Sequence, residues 1–293
     1  GTVAPQDAES IAKLAIAGAP PGEDDLIFLA WRAVSCDVVF LARRAEPPAT
    51  RADGRTDSGW FIGPLDKPGF LALTPPPESA PHSSLVHMLG AVIQLHGAKD
   101  SLFAGRVAAD GTWELDMDRL LFALRRSMCA NRPLVLMGTA FNVVHLLDAF
   151  EAGNIRYRLA RGSRLMETGG YKGRSRELPR TALHAEVTRR LGLPPTAIVT
   201  EYGMSELSSQ GYDRVAAPLS DGSPCPPIFQ FPPWARARVV SPETGLEVAD
   251  GDRGIVEILD LANLWSVAAI RTSDEAIRRN GRFELLGRAT QAE

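Results

Sequence analysis

The stretch Leu165-Met166-Glu167-Thr168-Gly169-Gly170-Tyr171-Lys172-Gly173-Arg174 is answered further along the chain by Glu201-Tyr202-Gly203-Met204-Ser205-Glu206. Each opens as, or follows, a short apolar run and ends in glycines and polar groups, and one helix's worth of sequence lies between them. The pattern is that of a β-α-β unit. A right-handed crossover brings both strand ends to the same edge of a parallel sheet. Ligands of open parallel sheets sit outside the carboxyl ends of the strands. The spacing therefore predicts a binding crevice beside Gly169 and Tyr202.

Working outward, Leu134-Val135-Leu136-Met137 follows Pro133 and reads as a fully buried strand. Gly138-Thr139-Ala140-Phe141 then turns into a helix over Asn142–Phe150. With strand Arg164–Thr168, helix Glu177–Leu191 and strand Ala197–Glu201, strands and helices alternate. This predicts a parallel sheet flanked by helices, with the strands ending at Met137, Thr168 and Glu201 as neighbours. Upstream, Ser83 or Ser84 caps a helix carrying Leu85, Met88, Leu89, Val92 and Ile93, which Gly97 ends. Phe103–Val107 and Thr112–Leu115 flank the turn signal Asp110-Gly111. Asp116 caps a helix with Leu120, Leu121, Leu124 and Met128.

Two further regions complete the plan. Residues 46–82 are rich in proline and admit only short strands such as Phe70–Leu73, and residues 8–45 hold two apolar patches that periodicity does not resolve into helix or strand. After Pro232-Pro233 the character turns to β, with Trp234–Val240, Gly254–Leu259, Val267–Arg271 and Phe283–Leu286 as strands and the charged Ser273–Asn280 between the last two. The expected division is an α/β core over residues 1–232 and a small β-rich subdomain over 233–293.

Composition bounds the function. The chain has 293 residues, 45% apolar and 23% charged, enough for a large core. A net charge of -3 argues against nucleic acid or an anionic membrane as the main partner. Three scattered cysteines show no disulfide framework or metal-ligand spacing, which fits a reducing cytoplasm. No apolar run approaches a membrane span, and Gly1-Thr2-Val3 does not open as a signal peptide. His87 and His145 fall on apolar helical faces and read as packed core residues, while His82, His96 and His184 read as exposed.

Glycines at 169, 170 and 173 allow backbone to approach a ligand closely, and Lys172, Arg174 and Arg176 add positive charge suited to phosphate or carboxylate. An aromatic ring after a strand, here Tyr202, can stack on a base. A hydroxyl at Ser205 and a carboxylate at Glu206 can meet a phosphate and its Mg²⁺. The plain alternatives are a solvated glycine-rich turn and a buried tyrosine beside a helix cap.

Tyr202-Gly203-Met204-Ser205-Glu206 resembles the Tyr-Gly-x-Thr-Glu motif of adenylate-forming enzymes, the acyl/aryl-CoA synthetase-like superfamily. The longer runs Met166–Glu177 and Glu201–Gln210 resemble one branch of it, the acyl-protein synthetase (LuxE-like) family of the bacterial luminescence fatty-acid reductase. Ser83–Met88, Leu136–Phe141, Arg271-Thr272-Ser273-Asp274 and Phe283–Arg288 are similar to further motifs of that family. The resemblance runs in order from roughly residue 70 to the end. It implies an ATP- and Mg²⁺-dependent ligase that converts a carboxylic acid, often a fatty acid, into an acyl-adenylate. The acyl group then passes to a thiol of a protein, a carrier protein or CoA.

By the same resemblance Gly169 and Gly170 lie against adenine or the acyl chain, Tyr202 and Gly203 hold adenine, and Ser205 and Glu206 face the phosphates, with Glu206 on the metal. Lys172 and Arg174 supply catalytic cations, Asp274 holds the ribose, and Arg288 sits at the ribose and hinge. Phe141, His87 and Met204 line the acid's site. Two departures accompany this. The Ser/Thr-Gly-rich phosphate loop has only Thr56-Asp57-Ser58-Gly59 as a remnant, and the catalytic lysine and acyl-accepting cysteine of the family's C-terminal part have no counterpart. The departures imply a truncated or degenerate member, so a partner-dependent nucleotide- or acyl-binding protein and an acyl-CoA or carrier-protein ligase are the alternative expectations.

Overall fold

The computed structural model describes residues 68–169, 178–213, 215, 226–263 and 267–289. They fall into two compact units, one taking the described part of 41–202 and 212–227, the other that of 203–211 and 228–293. The apolar patches of 8–45, Thr56–Gly59 and the loop residues Gly170–Arg176 lie outside the described residues.

The first unit is α/β. Its strands are β1 (Gly69–Ala72), β2 (Leu102–Phe103), β3 (Gly105–Val107), β4 (Trp113–Leu115), β5 (Leu134–Thr139), β6 (Arg164–Thr168), β7 (Ile198–Tyr202) and, from Tyr212 onward, β8 (Gly211–Asp213). Its helices are α1 (Ser84–His96), α2 (Met117–Cys129), α3 (Ala140–Ala152) and α4 (Arg180–Leu191). The order across the sheet is β2-β1-β5-β6-β7-β8, and the pairs from β2 to β7 are parallel. The strands ending at Met137, Thr168 and Glu201 are thus neighbours, as their alternation with helices requires.

Local chemistry explains these elements. Ser83 accepts the Val86 N–H to cap α1, and Asp116 accepts the Arg119 N–H to cap α2. At α3 the capping is reciprocal: Thr139 Oγ1 accepts the Asn142 N–H at 3.1 Å, and Asn142 Oδ1 accepts the Thr139 N–H at 3.2 Å. Gly192 ends α4 in the left-handed conformation, φ 70°. Leu183, Val187 and Leu191 put one stripe of α4 against Leu165 and Ile198 of the sheet. Leu71, Leu136, Val143, Leu147 and Phe150 continue that core. The alternate strand residues Phe70, Met137, Met166 and Val199 are equally buried, so both sheet faces are covered. Gly138 has a close neighbour: a Cβ there would lie 2.9 Å from that of Leu73.

One expected hairpin is shorter than read. Asp110-Gly111 does turn the chain between β3 and β4, but Phe103 belongs to β2 and pairs with Ala72 of β1. The chain crosses at Ala104, whose N–H donates to Ala72 O.

The second unit is an antiparallel sheet, β10-β11-β12-β13-β9, of β9 (Ile228–Gln230), β10 (Ala235–Val240), β11 (Arg253–Asp260), β12 (Ala269–Arg279) and β13 (Arg282–Arg288). Asn280 and Gly281, with φ 50° and 72°, form the two-residue turn between β12 and β13. The charged run Ser273–Asn280 is not a break between strands: β12 runs through it to Arg279. Its charges are taken up on the sheet surface, Arg279 by Glu284 and Arg278 by Glu247. Together the units give the expected class, a mixed α/β chain whose parallel-rich sheet is flanked by helices and whose C-terminal part is β-rich. Among the described residues no helix is long and apolar enough to cross a membrane.

Candidate functional site

Register places the ends of β5, β6 and β7 abreast. Thr139 pairs with Thr168, and Thr168 with Glu201. Gly169 is exposed at this edge, with open space where a side chain would stand. Tyr202 follows Glu201, and its side chain is buried, 7% exposed. At the end of β5, Thr139 caps α3, which presents Phe141, half-buried, with its ring 4.3 Å from that of His145. Gly170, Lys172 and Arg174 lie outside the described residues.

Behind the edge, strand alternation sends two Thr–Glu pairs to opposite faces of the sheet. On the α4 face, Thr200 Oγ1 donates to Glu167 Oε1 at 2.8 Å, and His184 Nε2 lies 3.3 Å from the same oxygen. Asp213 of β8 is also close to α4, with Arg180 Nη1 3.7 Å from its Oδ2. Neither Asp213 oxygen has a hydrogen-bond partner among the described residues. Burial pushes this carboxyl up to about 6; Arg180 and the nearby Thr200 amide, short of full hydrogen-bond geometry, oppose the shift, and Glu167 adds to it. On the other face Thr168 faces Glu201. Burial pushes Glu201 up to about 7, against the Thr168 hydroxyl bond and with the charge of Glu167. The edge thus stands on acids that are protonated in mildly acidic solution.

Ser205 and Glu206, in the second unit, are exposed, with Ser205 Oγ donating to Glu206 Oε2 at 3.3 Å. Gly203 is exposed and Met204 half-buried, and the Leu207 N–H closes a turn on Met204 O at 3.1 Å. A single solvent-facing carboxylate beside a hydroxyl suits Mg²⁺, which is commonly held by one or two carboxylates together with substrate phosphates. Among the described residues no group of three or more His, Cys, Asp or Glu forms a protein cage for a metal. In the same unit Asp274 and Arg288 are register partners across β12 and β13, with Arg288 Nε 3.8 Å from Asp274 Oδ1. The Asp274 N–H donates to Thr272 Oγ1 at 3.0 Å.

Four histidines differ from their sequence reading: His96, read as exposed, is half-buried with its Nε2 shielded, and burial lowers its pKa. His87 and His145 are exposed rather than packed: the buried stripes of α1 and α3 pass through Val86, Met88, Leu89 and through Val143, Val144, Leu147 instead. The His87 ring lies 3.2 Å from Pro81 O. His184, read as exposed, is mostly buried because it borders the Leu183–Val187 stripe and meets Glu167. Sequence reasoning also assigned no role to Asp213, Asp260 or Asn263. The one available signal was an acid just after the alternating strand Gly254–Leu259, which a surface turn produces equally well.

No protein-family model matches the sequence, and no curated protein matches it. Solved structures do. The chain is similar to ATP-bound MatB from Rhodopseudomonas palustris, with a TM-score of 0.50 and 19% identity over 78% of this chain and 41% of that one. An ATP-bound RpMatB-BxBclM chimera aligns over the same shares with a TM-score of 0.51 and 19% identity. The chain spans about two fifths of the length of these structures. At that identity the likeness is one of fold.

Proposed function

We propose that this chain belongs to an ATP-dependent ligase that activates a carboxylic acid as its acyl-adenylate, in the manner of the acyl-protein synthetases. The observation that carries the reading is the alignment of Thr139, Thr168-Gly169 and Tyr202 at one sheet edge, within a fold shared with ATP-bound MatB. In the reaction a carboxylate oxygen attacks the α-phosphorus, the bond to the β-phosphate breaks, and pyrophosphate leaves. A thiolate then attacks the acyl carbonyl and AMP leaves. The first step brings two anions together, so the chain's task is positioning and charge neutralisation.

In this reading Tyr202 and Gly203 hold adenine, and Gly169 and Gly170 let backbone approach the nucleotide or acyl chain. Asp274 offers two acceptors to the ribose diol, with Arg288 beside it. Lys172 and Arg174 neutralise phosphate charge, with Ser205 as a hydrogen-bond donor. Glu206 would hold Mg²⁺, which when bound supplies further charge neutralisation at the phosphates. Phe141 and Met204 line the acid's site with His87 at its margin, and the acid is a fatty acid. The acceptor is a protein thiol, and the protein is cytoplasmic.

A second reading, a partner-dependent nucleotide- or acyl-binding protein without turnover, is favoured by the burial of the Tyr202 ring. Acid-dependent ATP–pyrophosphate exchange over a panel of acids, followed by acyl transfer with and without CoA, separates the two. Exchange that needs an acid supports the ligase. Nucleotide binding with no exchange for any acid supports the second reading.

A further inference from the structure

Ser205 and Glu206 are exposed and outside any helix or strand, yet the chain just after them is among the most firmly tied in the β-rich unit. The carboxylate of Asp260, fully buried at the end of β11, accepts the N–H groups of Ser208 at 3.0 Å and Ser209 at 2.7 Å. It also accepts the Ser209 hydroxyl at 2.8 Å and the Ala262 N–H at 3.0 Å. Among the described residues no cation lies within ion-pair distance of it. Ser209 Oγ in turn accepts the Trp234 indole N–H at 3.0 Å. Asn263 closes the arrangement: its Nδ2 donates to Glu206 O at 2.6 Å and Val267 O at 2.9 Å, and its Oδ1 lies 3.2 Å from Ser208 Oγ.

A carboxylate held in the interior by four N–H and O–H donors fixes the direction of each one. The bond from Asn263 reaches the backbone of Glu206 itself. We propose that Asp260 and Asn263 are positioning residues that set the Ser205 hydroxyl and Glu206 carboxylate for the phosphates of a bound nucleotide. This rests on the reading of Ser205 and Glu206 as the phosphate-facing pair. Neither Asp260 nor Asn263 touches the nucleotide in this scheme.

The test compares ATP with adenosine, which lacks phosphates. By calorimetry, Asn263→Ala is expected to weaken ATP binding by about 10-fold, the effect of one lost hydrogen bond to the segment, and to leave adenosine affinity unchanged. In a Ser205→Ala/Glu206→Gln background Asn263→Ala should have no further effect on ATP. Equal loss for ATP and adenosine, or full additivity with that double variant, would overturn the proposal. Hydrogen–deuterium exchange in the ligand-free protein is the second arm. Amides over 206–209 should exchange on the order of 10-fold faster in both Asn263→Ala and Asp260→Asn, and unchanged exchange would overturn the proposal as well. If the unmodified protein binds neither ATP nor adenosine, the functional reading and its phosphate role fall together. The exchange arm still decides whether Asp260 and Asn263 hold the segment.

Discussion

Asp260 and Asp213 are both fully shielded from solvent, yet the two units treat them in opposite ways. In the β-rich unit Asp260 is surrounded by four donors, three of them backbone N–H groups on adjoining turns. In the α/β unit Asp213 has one guanidinium at 3.7 Å and no hydrogen bond among the described residues, with Glu167 adding repulsion. The difference shows that depth of burial does not fix the cost of a buried acid. The number of donors aimed at it does. Asp260 serves as a fully hydrogen-bonded anchor, whereas Asp213 and, on the other sheet face, Glu201 keep their protons up to about pH 6 and about pH 7.

The same isosteric change should therefore have opposite signs at the two sites. Asp260→Asn turns an NH₂ toward donors that need an acceptor, and each buried donor left unpaired costs about 1–3 kcal/mol. A loss of roughly 3–5 kcal/mol in urea unfolding at pH 7.5 is expected. Asp213→Asn removes a poorly paired buried charge and should raise stability by about 2 kcal/mol at the same pH. A loss at both sites would break the contrast.

Glu201 sharpens it through pH. The folded chain keeps this proton to about pH 7, while the unfolded chain releases it near 4.5. Folding thus takes up a proton between those values. Its contribution to stability is fully present below about 4.5 and is lost as pH rises toward 7. At about 1.4 kcal/mol per pH unit the loss is of order 3 kcal/mol, and Asp213 adds a loss of its own over the window from 3.8 to about 6. Glu201→Gln should match the unmodified chain in thermal melts at pH 4.5, exceed it at pH 8, and show a flatter profile between. An unchanged slope would mean that Glu201 is ionised in the folded chain.

Much of the α/β unit was legible in the sequence because its signals are local. Leu134–Met137 reads as a buried strand from composition alone, and Gly138–Phe141 marks the turn into the helix over Asn142–Phe150. The ends of β6 and β7 follow from the glycines and polar residues after each apolar run. What escaped depends on contacts distant in sequence. Glu167 and His184 meet only once β6 and α4 pack, and Asp260 meets Ser209 across fifty residues of chain. Ser273–Arg279 misled for a related reason: its charges look like a solvated loop until the partners on β13 and in the turn before β11 are known.

The claim that the edge formed by β5, β6 and β7 receives ATP is tested most directly by calorimetric titration of ATP into the unmodified chain, Tyr202→Phe and Tyr202→Ala, with thermal melts confirming that each is folded. Base stacking on an aromatic ring is worth about 1–3 kcal/mol. The expected result is affinity retained in Tyr202→Phe and weakened about one to two orders of magnitude in Tyr202→Ala. Equal ATP affinity in all three proteins would contradict the account.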